Sequence, residues 1–171
     1  MNYQIRTLLR SELEFLKDML FEAIYLPPEQ KMDLSRDILK HPDIARYYEN
    51  WGRKGDIALV AATEGNQPTL FGCVWGRLFS PGKRGYGFIN KKIPELSIAV
   101  DENHRNKGIG TRLVQAICTA YKEADYKHIS LSVNPLNPSM SLYKREGFKI
   151  HKLDQGSSII MIKNLEEKAG N

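Results

Sequence analysis

Between Glu95 and Tyr121 the hydrophobic pattern changes its period. Leu96, Ile98 and Val100 alternate with Glu95, Ser97 and Ala99, which predicts a strand with one apolar face. Beyond His104 to Thr111, the residues Leu113, Ala116, Ile117, Ala120 and Tyr121 recur at helical spacing. The stretch therefore reads as strand, loop and helix. Upstream, Tyr3 to Thr7 is expected as a first strand. Ser11 is expected to cap a helix running through Glu22, whose apolar side carries Leu13, Leu16, Leu20 and Ile24, with Glu14 completing a capping box. Pro27-Pro28 breaks the chain, and helical pieces are expected from Glu29 to Lys40 and from Pro42 to about Asn50.

Asp56 to Thr63 and Thr69 to Phe79 read as an antiparallel hairpin around the polar turn Glu64-Gly65-Asn66-Gln67-Pro68. Its second strand is expected to place Phe71, Cys73, Trp75, Arg77 and Phe79 on one face. Ser80 to Lys92, rich in Gly and base, has little reason to form a regular element, and Tyr86 and Phe88 are its only large anchors. A cover over a substrate and a solvated hairpin loop both fit that composition. Ile129, Leu131 and Val133 then alternate with Ser130, Ser132 and Asn134 as a further strand. Asn137 and Pro138 open another helix, which carries Met140 to Arg145 and stops at Gly147. Phe148 to Leu153 and Ser158 to Ile162 suggest a closing hairpin around Asp154-Gln155-Gly156-Ser157, followed by a frayed charged tail from Lys163.

A chain of 171 residues with 42% hydrophobic content fits one domain spanning residues 1–171. No apolar run approaches the about 20 residues of a membrane span, and Met1-Asn2-Tyr3-Gln4 lacks a signal-peptide layout, so a cytoplasmic protein is expected. Cys73 and Cys118 fall inside regular elements without metal-like spacing and read as buried apolar fillers. The four His residues are scattered singly, against a His-ligated metal site. The net charge of +5 suits an anionic ligand. With no basic helix or interleaved aromatics, nucleic acid is not expected as a partner. Tyr25, Tyr47, Tyr48 and Trp51 could line an acceptor pocket, but packing of helix on sheet is the favoured reading.

The loop before the central helix carries the candidate chemistry. Amides at a helix N-terminus and the positive end of its dipole favour an anion such as phosphate. Gly108 and Gly110 permit left-handed turns and close approach, while Arg105, Lys107 and Arg112 add charge. The nucleotide P-loop fails because Thr111-Arg112, not Lys-Ser/Thr, follows Gly110. The dinucleotide fingerprint fails because Leu113 stands where a third small residue belongs. Taken alone, a phosphate loop and a plain strand-to-helix turn remain equal readings.

The run Asn137-Pro138-Ser139-Met140-Ser141-Leu142-Tyr143-Lys144-Arg145-Glu146-Gly147-Phe148, downstream of Arg105 to Gly110, resembles the second signature of the GCN5-related N-acetyltransferases. Met140 is larger than the usual Ala there. The resemblance covers most of residues 57 to 162 and implies an α+β sandwich with a mixed, mostly antiparallel six- to seven-stranded sheet flanked by helices, its central strands splayed apart. It implies acetyl-CoA as cofactor, with Arg105, Gly108 and Gly110, helped by Asn106, Lys107, Ile109 and Thr111, holding the pyrophosphate. The pantetheine arm would pair with backbone at Ile98, Ala99 and Val100. Ser97, Ala99, Ser130 and Ser132 are small enough to admit a slender ligand, or simply to let helices pack closely.

The implied reaction is acetylation of a primary amine, on a small molecule or on a peptide or protein, by direct attack in a ternary complex. Glu95 is the candidate base, with a solvent-facing strand-end Glu as the alternative. Tyr143 matches the family's general acid, with packing on the sheet as the alternative. The Val100 N–H is the candidate oxyanion donor. Asn137 is a candidate cofactor contact, although an N-cap is the stronger reading. A covalent route through Cys118 is unattractive without an adjacent His. The other functional class is a non-catalytic acyl-CoA-binding sensor or interaction module. A homodimer is common in the family, and the acceptor is not legible in Tyr25 to Trp51 or Ser80 to Lys92.

Overall fold

The alternating segments become the strands of one mixed sheet. In the computed structural model, which describes residues 2–26, 28–31, 33–153, 156 and 158–166, these are β1 (Tyr3–Thr7), β2 (Ile57–Thr63), β3 (Leu70–Arg77), β4 (Glu95–Val100), β5 (His128–Val133), β6 (Lys149–Leu153) and β7 (Ile159–Asn164). The helices are α1 (Leu13–Ala23), α2 (Pro28–Lys31), α3 (Pro42–Ala45), α4 (Ile109–Glu123) and α5 (Ser139–Arg145). The sheet order is β1-β2-β3-β4-β5-β7-β6. Every neighbouring pair is antiparallel except β4 and β5, which run parallel. The expected α+β architecture and strand number are therefore present.

Each face of the sheet carries its own apolar layer. On one, Ile109, Leu113, Val114, Ile117 and Tyr121 of α4 pack against Leu59, Val74, Leu96 and Leu131. On the other, Leu16, Met19 and Leu20 of α1 join Tyr47 over Ala58, Val60, Cys73, Trp75 and Ala99. Burying each large aliphatic side chain is worth about 1.5–3 kcal/mol. Tyr121 fixes the far end of α4: its hydroxyl donates to the Gly55 carbonyl at 2.8 Å. A Cβ on Gly76 would overlap that ring. Cys73 and Cys118 are free and buried, as expected.

Several expectations fail for local reasons. Ser11 does not cap a helix. The first turn is a 3-10 turn, Arg10–Glu12, and Glu12 rather than Glu14 accepts the Leu9 amide at 2.9 Å while pairing with Arg6 at 2.7 Å. The piece expected from Glu29 to Lys40 is split into α2 and a 3-10 turn, Arg36–Lys40. The helix from Pro42 ends at Ala45 and continues as turns. Phe71 does not share a face with Cys73 and Trp75. The register slips between Ala61 and Ala62, leaving Phe71 as an extra residue in β3 and turning it toward α4. The stretch from Lys163 does not fray at once, since β7 runs to Asn164 and Leu165 is buried. Pro27, the turn residues Asp154, Gln155 and Ser157, and the tail from 167 onward lie outside the described residues.

Candidate active site

β4 pairs with β3 along its whole length, from Arg77↔Glu95 to Gly72↔Val100. Its pairing with β5 is confined to Glu95↔Ser130, with the Ser130 amide donating to the Pro94 carbonyl at 3.0 Å. Among the described residues, β4 has no strand partner on that side from Ser97 onward, where the Val100 carbonyl is instead engaged by Arg105 Nε at 2.9 Å. The two parallel strands thus splay apart as expected. Backbone polar groups alternate sides along a strand. Because the Asp101 amide donates to Phe71 on the β3 side, those of Ile98 and Val100 face the open seam, and those of Ala99 face β3. Ala99 therefore lends the seam no backbone hydrogen bond.

The candidate anion loop lies at the wide end of this seam. Gly108 is the N-cap of α4 at φ 77°, and Asn106 also takes a positive φ of 60°. A Cβ on Gly108 would meet nothing within 4 Å, so its need for Gly is conformational. The first intrahelical bond runs from the Arg112 amide to the Gly108 carbonyl at 3.2 Å. That leaves the amides of Ile109, Gly110 and Thr111 without a carbonyl one turn back. Arg105 ties loop to strand: its Nε donates to the Val100 carbonyl at 2.9 Å, and its guanidinium pairs with Glu22 at 3.2 Å. Lys107 reaches the Asn103 carbonyl at 2.9 Å. Arg112 lies over the Tyr3 ring at 4.4 Å.

Glu95 is not solvent-facing. Its side chain is 4% exposed and projects beneath the segment Gly85 to Gly87. Tyr47 donates its hydroxyl to Glu95 Oε1 at 2.6 Å and accepts the Tyr86 amide at 2.8 Å. Oε2 has no hydrogen-bond partner among the described residues. Burial pushes the carboxyl up to about 7, opposed by the Tyr47 hydrogen bond, the nearby Gly87 amide and the charge of Arg46. A carboxylate so placed is half ionised near neutrality, which suits a general base.

Tyr143 lies in the layer on the opposite face of the sheet, edge-on to Phe148 at 5.9 Å. Burial pushes its phenol up to about 12, against a hydrogen bond with Ser139, so it is protonated at neutral pH. Gly147, at φ 88°, closes α5: the Phe148 amide donates to the Tyr143 carbonyl at 2.9 Å and the Gly147 amide to Lys144 at 3.1 Å. The N-cap of α5 is Pro138 rather than the expected Asn137, which stands one residue earlier in a turn whose side-chain oxygen accepts the Ser139 amide at 2.9 Å. Among the described residues no group of three His, Cys, Asp or Glu could hold a metal ion. No described helix is long and apolar enough to cross a membrane.

The sequence model described as the acetyltransferase (GNAT) family matches residues 16–148. The chain belongs to that family. An N-alpha-acetyltransferase of Sulfurisphaera tokodaii is 43% identical over 74 residues, a match spanning 37% of this chain and 44% of that relative. The PaiA N-acetyltransferase of Thermoplasma acidophilum, solved in complex with coenzyme A, superposes with a TM-score of 0.66 at 22% identity, covering 96% of this chain and 99% of that one. The YncA protein of Salmonella typhimurium, solved with acetyl-CoA as its cofactor, gives 0.68 at 18% identity over 100% and 98%. At these identities the solved structures establish the GNAT fold.

Within this GNAT fold, three site-building residues escaped the sequence. Tyr47 reads as helix packing, yet it holds the carboxylate of a residue 48 positions away, and no local pattern reports such a pair. Arg77 did leave a signal, a lone charge on an apolar strand face. Ser130 reads as leaving room, but its hydroxyl donates to the Gly87 carbonyl at 2.8 Å and anchors the cover over Glu95. The loop from Ser80 to Lys92 is thus tied down at its centre. A Cβ on Gly85 would overlap Glu95 Oε2, and one on Gly87 would stand 2.7 Å from the Leu131 carbonyl carbon. Gly85→Ala is expected to cost about 1–3 kcal/mol in denaturant unfolding, as overpacked sites do.

Proposed function

We propose that this chain transfers the acetyl group of acetyl-CoA to a primary amine by direct attack in a ternary complex. The observation that carries the reading is the edge of β4 from Ser97 to Val100, which has no paired strand among the described residues and opens beside the uncapped amides of α4. Ile98 and Val100 would bind along the pantetheine arm. Arg105 and the amides from Asn106 to Thr111 would hold the pyrophosphate. Acetyl-CoA, when bound, supplies an acyl group activated as a thioester.

The residues divide the remaining work. Glu95 accepts, directly or through water, the proton that the attacking amine sheds. The Val100 N–H stabilises negative charge on the carbonyl oxygen. Tyr143 gives its phenolic proton to the departing thiolate. A C–N bond replaces a C–S bond, and both protons are accounted for.

The acceptor that suits Glu95 best is an α-amine. An α-amino group titrates at about 7.7–8.0 and a lysine ε-amine at about 10.4, so near neutral pH far more of the former is already the neutral nucleophile, and Glu95 has only to take the one proton shed as the C–N bond forms. The name of the Sulfurisphaera tokodaii relative agrees with that choice. Thiol release from acetyl-CoA, measured with peptide α-amines, lysine side chains, polyamines and small amines, tests the reading. At pH 7 the expected kcat/KM is at least about tenfold higher for α-amines, a modest part of the pKa difference. Saturable acetyl-CoA binding with no turnover on any acceptor would instead favour an acyl-CoA sensor.

A further inference from the structure

We infer that Tyr47 is a positioning residue of this site: its hydroxyl engages Oε1 of Glu95 and so assigns proton acceptance to Oε2. The inference rests on the reading of Glu95 as the base. The geometry that carries it is local and buried. Tyr47 is 5% exposed, and its hydroxyl stands between two groups, donating to Glu95 Oε1 at 2.6 Å and accepting the Tyr86 amide at 2.8 Å. Since the Tyr86 amide can only donate, the phenolic hydrogen is directed at the carboxylate. Oε1 is therefore committed, and Oε2, buried beneath Gly85 and without a hydrogen-bond partner among the described residues, is the oxygen left to take a proton.

Three elements hold this arrangement. The Tyr47 ring packs edge-on to Phe79 at 5.1 Å and stacks with Tyr86 at 6.4 Å. The segment that carries Tyr47 is clamped from β3, where Arg77 donates to the carbonyls of Arg46 at 2.8 Å and Glu49 at 2.7 Å. Gly85 and Gly87 close over the carboxyl with no side chain of their own, and Ser130 on β5 fastens Gly87. Among the described residues, the ionisable groups facing Glu95 are few. They are Tyr47 and Arg46 after α3, Tyr86 from the loop, and Arg77, its cross-strand neighbour on β3, whose charge is paired with Asp56 at 2.6 Å. Arg46 pairs with Asp43 and reaches the Arg84 carbonyl.

A hydrogen bond to an ionised carboxylate favours the ionised form. Its loss must therefore move the titration of Glu95 upward, whereas a purely structural tyrosine would leave that titration in place. The test uses Tyr47→Phe, which keeps the ring and its packing. The carboxyl carbon of Glu95 is followed by carbon-13 NMR against pH in the free protein, with Glu95→Gln identifying the resonance. The expected result is an upward displacement of about one pH unit in Y47F, tenfold in ionised fraction below the midpoint. An unchanged midpoint would overturn the inference, whatever the enzyme turns over.

The kinetic arm separates the two ideas. With acetyl-CoA and an alanine-initiated peptide, the acidic limb of kcat/KM should move upward in Y47F and recover at high pH, and Y47F should add nothing in an E95Q background. A limb that stays in place in Y47F while E95Q is impaired would reject the role of Tyr47 and leave Glu95 standing. Wild-type turnover in E95Q would reject Glu95 as the base, and the positioning role with it.

Discussion

Glu95→Gln is expected to lower kcat by about 10²–10⁴-fold, the range that a positioned general base contributes. Gln keeps the shape and can still accept the Tyr47 hydroxyl, but it cannot take a proton. The wild-type rate should rise with pH through a limb near 7, the value to which burial pushes this carboxyl, and the variant should lack that limb. Stability should behave in the opposite sense. Because the folded-state value lies above the ordinary 4.5, the native state binds more protons between about 4.5 and 7. The stability contributed by the protonated carboxyl is complete below about 4.5 and is lost as pH climbs through about 7. That decline amounts to about 3–3.5 kcal/mol, and E95Q should not show it. Thermal midpoints of the two proteins across this window check the sign.

Arg77→Ala is expected to destabilise the fold by about 3–5 kcal/mol, measured by denaturant unfolding, because it leaves a buried carboxylate uncompensated. The side chains of Arg77 and Asp56 are each 1% exposed. Arg77 grips Asp56 through two bonds, at 2.9 and 2.6 Å, while the rest of its fork satisfies the carbonyls of Arg46, Glu49 and Asn50. Asp56 in turn accepts the amides of Gly52 and Arg53, both at 2.9 Å. Removing the guanidinium therefore strands one carboxylate and frees three backbone contacts at once. Arg77→Lys should recover only part of the loss, since an ammonium cannot reproduce the planar fork. Ordinary surface changes fall within about 0.5 kcal/mol, so the effect stands well clear of them.

Legibility in the sequence followed the range of the interaction. The strand from Glu95 to Val100 was predicted with its observed bounds because two sheet faces impose an uninterrupted period of two. The loop at Gly108 was legible because a positive φ and a helix start need Gly at one position. The bulge at Phe71 was not, since one extra residue reverses the faces without altering composition. The Ser11 cap failed because Glu12, held by Arg6 from β1, competes for the same turn. The splay of β4 from β5 came through the family resemblance, because pairing that stops after one residue leaves no trace in alternation. The burial of Glu95 depends on Tyr47, Gly85, Gly87 and Ser130, which are scattered along the chain and united by tertiary packing.

The most direct test follows isotope-labelled acetyl from acetyl-CoA onto a peptide with a free α-amine, comparing the wild type with E95Q by mass spectrometry alongside thiol release. The expected result is label on the α-nitrogen, one thiol released for each acetyl transferred, and a rate in E95Q lower by about 10²-fold or more. Label that stays on coenzyme A despite saturable binding, or that reaches the amine equally fast in E95Q, would contradict acyl transfer at this site.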